Sequence, residues 1–554
     1  MGGSAAVITI AHRPGCAPVT SRPPGQVPRA LRYWARRGIC QAGEMNPSTA
    51  LPHVVIVGGG IAGLAAAFFL RDEPVRVTVL EGSPRLGGKL SVSEVAGVPV
   101  DEGAEALLVT RPEGTGLIAE VGLASDRMAP GTTSSAIWTL GALRPLPRRQ
   151  FMGVPSDLAE LARSGVVSGA GAARASQDLD LPPTTRDGDV PVAAFVGARF
   201  GAEVVDRLVD PLLGGVYAGR SSDLSFDATM PALAAASRRY QSLAEAAGSL
   251  LPPPSPVAVP VTAGEQDRAP AGTRSGGSVF TSLSGGLGQL PAVLAKASGA
   301  EVRTAAMTRA LSPMPGAAGA PATGPRWRLT VGSAAVEEVI DADAVILAVP
   351  ARPAARLLVG VPGASAAITA FGEISYASMA IVTLAYPRSA FPGAFPGSGL
   401  AALGWSGYLV PAVDGRAVKA VTFSSVKWPH LAEATAPGAE PLEIVRCSVG
   451  RIGEEALLQR ADEELAALAA AELAAATGVN GAPVAHRVTR WGGALPQYTV
   501  GHLDRVARIR AAVATLPGLA VCGAAYEGVG IPACVATARA AANQVTEFLR
   551  GGRQ

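Results

Sequence analysis

The stretch Val54-Val55-Ile56-Val57-Gly58-Gly59-Gly60-Ile61-Ala62-Gly63 decides the fold of this chain. Its apolar start predicts a buried β-strand, and the Leu64-Ala65-Ala66-Ala67 that follows predicts a helix. Between them, Gly58 allows a tight turn, Gly60 lets backbone N–H groups approach a pyrophosphate, and Gly63 lets the helix pack close to the strand. A glycine turn alone is a weak signal in a chain with 66 glycines, so its context matters.

That context favours a dinucleotide site. A second predicted strand, Val75-Arg76-Val77-Thr78-Val79-Leu80, ends in Glu81. This is roughly the spacing at which an acidic side chain accepts hydrogen bonds from a ribose. Near the other end of the chain, a second glycine segment runs from Val521 to Pro532 and leads into a predicted helix over 533–544. We predict that the two glycine segments build one site, with the late helix start facing the cofactor.

Composition excludes several classes of protein. The chain has 554 residues, enough for two or three domains, and its net charge of +3 gives no sign of a nucleic-acid-binding surface. Its five cysteines form no CxxC pair, which favours a reducing, cytoplasmic location. Five scattered histidines predict no metal site. No apolar stretch approaches the roughly 20 residues of a membrane span, although contact with a membrane surface is left open.

Residues 1–44 differ from the rest of the chain. They carry six arginines, no lysine and one acidic residue, Glu44. This composition is typical of an organellar transit peptide, and equally of a GC-rich upstream region that is not part of the protein. We favour Met45 over Met1 as the functional start.

The remaining chain divides by periodicity and composition. An apolar face over 463–477 is interpreted as core and not as a membrane anchor. No internal repeat is visible. The predicted elements are, in order, a mostly helical region over 112–250, a flexible Pro/Ser/Gly-rich segment over 251–277, a short strand Glu301-Val302-Arg303, a second flexible segment over 312–325, a buried strand over 344–350, antiparallel strands over 376–425 and a helix over 454–477.

The segment Glu81-Gly82-Ser83-Pro84-Arg85-Leu86-Gly87-Gly88-Lys89 resembles the ExxxRxGGR/K signature of the flavin amine oxidase superfamily. The resemblance implies non-covalent FAD. Arg85 and Lys89 would offer positive charge to its phosphates. Cys534 lies past the flavin-facing turn and lacks the context for covalent attachment.

Three further segments resemble one family of that superfamily, the protoporphyrinogen/coproporphyrinogen oxidases. They are Asp210-Pro-Leu-Leu-Gly-Gly-Val-Tyr-Ala-Gly-Arg220, Thr422-Phe-Ser-Ser-Val-Lys-Trp-Pro-His430 with Val445-Arg-Cys-Ser-Val-Gly450, and Arg490-Trp491 with Ala494-Leu-Pro-Gln-Tyr-Thr-Val-Gly-His502. The resemblance covers roughly residues 52–549 apart from the two flexible segments.

One departure is informative. Animal and plant members carry Gly-Pro-Arg beneath the flavin, where this chain has Gly103-Ala104-Glu105 and no arginine until Arg111. This pattern resembles the Gram-positive bacterial branch, whose members oxidise coproporphyrinogen III. Its four propionates distinguish it from protoporphyrinogen IX, which has two.

The resemblance implies an α/β fold. It comprises a Rossmann-like FAD-binding domain of the amine-oxidase/glutathione-reductase type, discontinuous in sequence, with an inserted mixed-sheet substrate domain and an inserted helical domain. The implied boundaries are 1–51 for a disordered or untranslated extension, 52–111 plus 279–357 plus 486–551 for the FAD-binding domain, 112–250 for the helical domain, 251–278 for a flexible insertion and 358–485 for the substrate domain.

The implied activity is oxidation of coproporphyrinogen III to coproporphyrin III in haem biosynthesis. Three hydrides pass to the flavin N5, and O2 is reduced to three H2O2. Protoporphyrinogen IX is the alternative substrate, and an amine oxidase or carotenoid desaturase is a more distant reading. A prenyl-binding chaperone on the same fold is the non-enzymatic alternative. The implied partners are the porphyrinogen, O2 and, for product hand-over, ferrochelatase; the oligomeric state is left open.

For the substrate, the resemblance points to Arg111 as a propionate anchor, with Lys427 and Arg490 as weaker candidates. Glu105 would either steer the ring nitrogens or shape the loop. Tyr217 and Trp428 are expected in the core, and no general base is assigned because the flavin does the chemistry. The predicted cofactor-binding residues are Gly58, Gly59, Gly60, Ile61, Ala62, Gly63, Glu81, Gly82, Arg85, Gly88, Lys89, Gly103, Ala104, Glu105, Ala106, Val302, Trp491, Gly523, Val529, Gly530 and Ile531.

Overall fold

The computed structural model describes residues 51–253, 278–314, 326–392, 399–434 and 440–551. The predictions for the extension before Leu51, for the choice between Met1 and Met45, and for most of both flexible segments therefore lie outside the described residues. Residues from Leu51 onward form one compact unit.

A five-stranded parallel sheet forms the centre of the nucleotide-binding part, and strand His53–Val57 is its middle strand. The predicted strands at Glu301 and Ala344 are both present in it. In spatial order the strands are Glu301–Arg303, Arg76–Leu80, His53–Val57, Ala344–Leu347 and Leu519–Val521.

Apolar side chains alternate between the two faces of the sheet along the middle strand, so both faces must be covered. Val54 and Ile56 lie in one core cluster, whereas Val55 and Val57 lie in another. The helices of the first cluster are Ile61–Phe69, Pro112–Glu120, Leu290–Ser298 and Ile531–Gly551, and those of the second are Ala351–Leu357, Ser365–Gly372 and His502–Ala514.

A mixed seven-stranded sheet forms the second large layer. Its neighbours are antiparallel except for one parallel pair, Gly407–Leu409 with Ala136–Thr139. The strand order is Ala485–Pro496, Tyr376–Pro387, Leu442–Val449, Val418–Phe423, Gly407–Leu409, Ala136–Thr139 and Ala142–Pro145.

Helix Asp462–Thr477 covers this sheet and confirms the core interpretation of its apolar face, since Leu465 and Leu473 are fully buried among the strands. The predicted single helix over 454–477 is wrong at its start. Residues Glu455–Gln459 form a 3-10 turn, and Arg460 and Ala461 are extended before the α-helix begins.

The prediction that 112–250 is mostly helical is wrong for 127–155, which is β-structure. Leu140-Gly141 and Met152-Gly153 both adopt positive φ at two successive residues, the geometry of a type I′ hairpin turn. The usual Asn-Gly signal is missing at both, so the hairpins were not foreseen. The helices of the region are Pro112–Glu120, Leu158–Ser164, Gly169–Ser176, Val192–Phe200, Ala202–Val204, Asp210–Tyr217, Phe226–Thr229, Pro231–Ala236 and Leu243–Gly248.

Packing also differs from two predicted domain boundaries. Strand Ala485–Pro496 pairs with Tyr376–Pro387 on both sides of a β-bulge, so 486–496 belongs to the seven-stranded sheet and not to the FAD-binding layer. Helix Ser365–Gly372 packs beneath the parallel sheet, although the prediction placed it in the substrate domain. The predicted boundaries are wrong because segments that are adjacent in the sequence belong to different layers of the fold.

Smaller sheets complete the described fold. Within the described residues no helix combines the length and apolar character that crossing a bilayer requires. The smaller sheets are Thr308–Pro313 with Trp327–Gly332 and Glu337–Ala342, Leu107–Leu108 with Phe280–Leu283 and Arg127–Met128, Val92–Val95 with Val98–Asp101, and Gln150–Phe151 with Val154–Pro155; two short helices are Ser424–Lys427 and Pro429–Glu433.

Candidate active site

The first glycine turn is shaped so that two of its glycines cannot be replaced. Gly58 has a φ of +112°, and a Cβ there would lie 2.6 Å from the Ala348 carbonyl oxygen. A Cβ on Gly63 would lie 1.9 Å from the Gly58 oxygen. At Gly60, by contrast, a Cβ would meet no protein atom within 4 Å. Open space at the N-terminus of helix Ile61–Phe69 is the feature a pyrophosphate requires.

Glu81 is fixed at the carboxyl end of the second strand. Its carboxylate accepts hydrogen bonds from the Gly59 N–H and the Ser83 N–H, both at 2.8 Å. Its own N–H donates to the Arg303 carbonyl at 2.8 Å, on the strand that carries Val302. The carboxylate therefore sits beside the turn, where a ribose would be bound.

The 81–89 segment closes over the same turn. The Gly87 N–H donates to the Gly59 carbonyl at 2.9 Å. A Cβ on Gly88 would lie 3.4 Å from the Gly60 Cα. Arg85 and Lys89 are exposed, and the Arg85 guanidinium stands 5.6 Å from the centre of the Trp491 ring.

The late glycine segment meets the early one. The Cys522 N–H donates to the Leu347 carbonyl at 3.1 Å, which aligns the ends of neighbouring parallel strands. A Cβ on Gly523 would lie 3.9 Å from the Ala62 Cβ. Two segments more than 400 residues apart in the sequence therefore share one edge of the sheet, as predicted.

Two side chains brace the turn that precedes helix Ile531–Gly551. The Tyr498 hydroxyl donates to the Ala524 carbonyl at 2.7 Å and accepts from the Gly528 N–H at 2.8 Å. His502 stacks on Tyr498 at 3.8 Å between ring centres, and burial lowers the pKa of His502 to about 4. The neutral ring thus donates from Nε2 to the Tyr526 carbonyl at 3.0 Å.

We call the first glycine turn, 58–63, and the 81–89 segment that closes over it the cradle. The 103–106 loop contacts the cradle directly. The Ala104 N–H donates to the Lys89 carbonyl at 3.2 Å, and a Cβ on Gly103 would lie 1.9 Å from the same oxygen. The Trp491 indole N–H donates to the Glu102 carbonyl at 3.1 Å. These contacts place 103–106 and Trp491 next to the predicted phosphate-binding segment.

Glu105 is held between two cations. Its carboxylate accepts from the Lys427 ammonium at 2.8 Å and from the Arg446 guanidinium, which also donates to the Gly103 carbonyl. Burial alone would raise the pKa of Glu105, but the charges and hydrogen bonds of Lys427 and Arg446 lower it to about 2. We call Glu105, Lys427 and Arg446 the carboxylate clamp. Because its pKa lies far below neutral pH, the Glu105 carboxylate is only a weak base and cannot act as an acid near pH 7.

Arg111 lies beside the late glycine turn. It precedes helix Pro112–Glu120, and its Nη1 lies 3.5 Å from the position of a Cβ built on Gly528. Its contact with Glu113 is long, at 3.3 Å, and its side chain is 40 % exposed. The guanidinium is therefore accessible to an anionic group near the flavin-facing turn.

The other predicted substrate cations are already engaged. Lys427 is held in the carboxylate clamp, and its ammonium lies 5.8 Å from the exposed Phe280 ring. Arg490 donates to Asp462 and to the carbonyls of Leu458 and Arg460. Since side chains alternate along a strand, Arg490 faces away from Trp491 and the cradle.

Tyr217 and Trp428 are buried, as predicted, with 6 % and 2 % of their surface exposed. Burial also raises the pKa of the Cys534 thiol to about 11, which disfavours the thiolate that covalent attachment would use.

Sequence reasoning gave no role to Arg446, Tyr498 or His502, although all three lie in the family-like strings. A signal was present for Arg446, since a cation between Val445 and Cys447 in an apolar strand must be paired. Tyr498 and His502 act through backbone groups of a distant turn, which no local pattern reveals.

The donor set fits FAD. It comprises an open helix N-terminus at Gly60, a carboxylate at Glu81, a loop at 103–106 and a second helix start at Ile531. A family model described as flavin containing amine oxidoreductase matches residues 61–546. The chain belongs to this family.

Individual flavin amine oxidoreductases are similar along nearly the whole chain. A coproporphyrinogen III oxidase of Mycobacterium tuberculosis (strain ATCC 25618 / H37Rv) is 37 % identical over 500 residues, which cover 89 % of this chain and 97 % of the relative. A coproporphyrinogen III oxidase of Bacillus subtilis (strain 168) is 30 % identical, and the match covers 90 % of this chain and 98 % of the relative. A crystal structure from Exiguobacterium sp. 255-15, named as that of a putative protoporphyrinogen oxidase, has a TM-score of 0.73 at 28 % identity. The match covers 90 % of this chain and 99 % of that chain.

These findings confirm the fold class and the cofactor. The protein is an FAD-dependent oxidoreductase of the flavin amine oxidoreductase family. The individual binding roles predicted for site residues stay predictions.

Proposed function

We propose that this protein oxidises coproporphyrinogen III to coproporphyrin III, with FAD as the immediate acceptor and O2 as the final one. The observation that carries the proposal is the near full-length similarity to relatives named coproporphyrinogen III oxidase, at 37 % and 30 % identity. The carboxylate clamp and Arg111 lie within residues 61–546, which the family model matches. Cytoplasmic location and product hand-over to ferrochelatase stay predictions.

Bound FAD would supply the redox chemistry, accepting a hydride from the substrate and passing two electrons to O2. The chain's own side chains would bind the substrate and orient it against the flavin. Arg111, accessible beside Gly528, would form an ion pair with one propionate. Glu105 would shape the 103–106 loop, because Lys427 and Arg446 hold both of its carboxylate oxygens.

The protein would accelerate the reaction by positioning the substrate. Among the described residues near the cradle, no side chain is set up as a general base, since the low pKa of Glu105 makes its carboxylate a weak one. The proton that leaves with each hydride would therefore pass to solvent. Holding the substrate against the flavin supplies the acceleration.

Protoporphyrinogen IX is the second candidate substrate, favoured by the Exiguobacterium structure titled as a protoporphyrinogen oxidase. The two substrates differ in the number of propionates. Coproporphyrinogen, with four, would benefit more from cations at the rim of the site.

The test is aerobic turnover of both porphyrinogens side by side, followed by porphyrin fluorescence and corrected for spontaneous oxidation with flavin-free protein. We expect a higher kcat/KM for coproporphyrinogen III. Preference for protoporphyrinogen IX would select the second candidate. Turnover of neither by flavin-loaded protein would contradict both.

A further inference from the structure

A small internal cavity lies behind the 103–106 loop, on the side of the carboxylate clamp. Its volume is about 10 Å³, which is close to the space that one water molecule needs. Two carboxylates, Asp101 and Glu105, and one guanidinium, Arg446, line it. Its polar lining comprises Asp101, Glu105, Ser282, Ser424, Trp428, His430 and Arg446.

Several polar atoms of this lining have no hydrogen-bond partner among the described residues. They are the Trp428 indole N–H, the Arg446 Nε–H, the Ser424 hydroxyl and the His430 Nδ1. Trp428, Ser424 and Arg446 are 2 %, 1 % and 7 % exposed. Buried polar groups in folded proteins are almost always paired, because an unpaired one loses its hydration without compensation. Four such atoms around one cavity point to a bound molecule.

The chemistry of the lining selects that molecule. Trp428 Nε1 and Arg446 Nε can only donate, so the occupant must accept. The carboxylates of Asp101 and Glu105 can accept, so an occupant that also donates is favoured. An anion would face two carboxylates, and a metal cation would face the Arg446 guanidinium and an indole N–H. Neither is compatible with this lining.

We infer that one buried water molecule occupies this cavity and hydrogen-bonds to Trp428, Arg446 and the carboxylates beside them. The inference does not depend on the proposed substrate.

The water would link two parts of the fold. Asp101 accepts from the Leu287 and Gly288 N–H groups, both at 2.9 Å, at the turn before helix Leu290–Ser298. Arg446 grips the Gly103 carbonyl and Glu105 in the flavin-facing loop. A water between them fixes the loop to that turn from behind. Burial also raises the pKa of Asp101 to about 6, in keeping with a carboxyl group that has little access to bulk water.

The direct test is a crystal structure of the FAD-loaded protein at a resolution that shows ordered water. We expect a single peak within hydrogen-bond distance of both Trp428 Nε1 and Arg446 Nε. A cavity without density, or one filled by a shifted side chain, would overturn the inference.

A second test uses matched tryptophans. Trp327 is also 2 % exposed, but its indole N–H donates to the Pro517 carbonyl at 2.9 Å. Trp327→Phe therefore measures the loss of a bonded, buried indole N–H. We expect Trp428→Phe to lower the midpoint of thermal unfolding by a similar amount. If Trp327→Phe lowers the midpoint and Trp428→Phe does not, the Trp428 N–H has no partner and the inference is wrong.

Discussion

Arg111 is the residue whose position most directly suggests contact with an anionic substrate. Its Nη1 lies close to Gly528, and its one ion pair, with Glu113, is long at 3.3 Å. A charge-assisted hydrogen bond contributes about 1.5–3 kcal/mol. Arg111→Ala should therefore raise KM for coproporphyrinogen about tenfold or more, with a smaller fall in kcat. Steady-state kinetics check this, with Arg111→Lys as the matched variant that keeps the charge. Unchanged kinetics in Arg111→Ala would remove the residue from the site.

Glu105 gives a prediction about pH. Its pKa falls from 4.5 to about 2 on folding, so its stabilising contribution is complete above pH 4.5 and is lost as pH falls through about 2. Glu105→Gln would leave Lys427 and Arg446 as buried like charges, at a cost of about 3 kcal/mol. The variant's thermal midpoint should lie well below that of the wild type at pH 7 and approach it under acid conditions.

Thermal unfolding of FAD-loaded protein from pH 7 downward tests this. The double variant Glu105→Gln/Lys427→Met should recover part of the loss, because one of the two repelling cations is gone. A midpoint difference that does not change with pH would contradict the clamp.

At the scale of elements, the strand–turn–helix unit gives a clean test of the cradle. A Cβ at Gly60 would meet no protein atom within 4 Å, and the backbone there has a φ of −77° that any residue adopts. Gly60→Trp should therefore fold normally yet lose FAD, because the ring fills the phosphate space. Flavin absorbance per protein, with circular dichroism as the fold check, measures both. Gly372→Trp is the control, since Gly372 is exposed and also has nothing within 4 Å. A Gly60→Trp protein with full flavin would contradict the placement.

The brace of Tyr498 and His502 connects a strand end to the late glycine turn. Tyr498→Phe would leave the Ala524 carbonyl and the Gly528 N–H without their partner, at a cost of about 1–3 kcal/mol. Part of that loss of stability should affect the flavin-facing turn. The Kd for FAD, measured by titration of the apoprotein, should therefore rise about tenfold. Tyr386→Phe is the control, because Tyr386 is fully buried and its hydroxyl has no partner among the described residues. Equal FAD affinity in both variants would show that the brace does not act on the site.

The sequence predicted those elements whose signal is local. Apolar runs and residue spacings predict three elements. They are the strand at Val54–Val57 with its glycine turn, the strand at Glu301 and the apolar face of the helix over 462–477. The hairpin at Leu140-Gly141 was missed, because its positive-φ turn lacks asparagine. The strand at 485–496 was assigned to the wrong layer, because strand partners are fixed by distant segments. The carboxylate clamp was missed as a unit for the same reason: its members come from a loop, a short helix and a strand.

At the scale of the whole molecule, the parallel sheet brings both ends of the described chain to one edge, and the seven-stranded sheet brings the clamp to the same loop. Strand His53–Val57 carries the first glycine turn, and strand Leu519–Val521 carries the second. Strand Leu442–Val449 contributes Arg446 from the other sheet. The flavin site therefore exists only in the folded chain as a whole, and FAD binding and substrate positioning should depend on both layers.

The measurement that tests the central claim most directly is anaerobic mixing of the FAD-loaded protein with coproporphyrinogen III. The visible absorbance of the bound flavin is followed over time, with putrescine and cyclohexylamine as comparison substrates. We predict that the porphyrinogen bleaches the flavin without O2, that added O2 restores the absorbance, and that porphyrin accumulates only as O2 permits the three successive two-electron steps. Bleaching by an amine and not by the porphyrinogen would contradict the account.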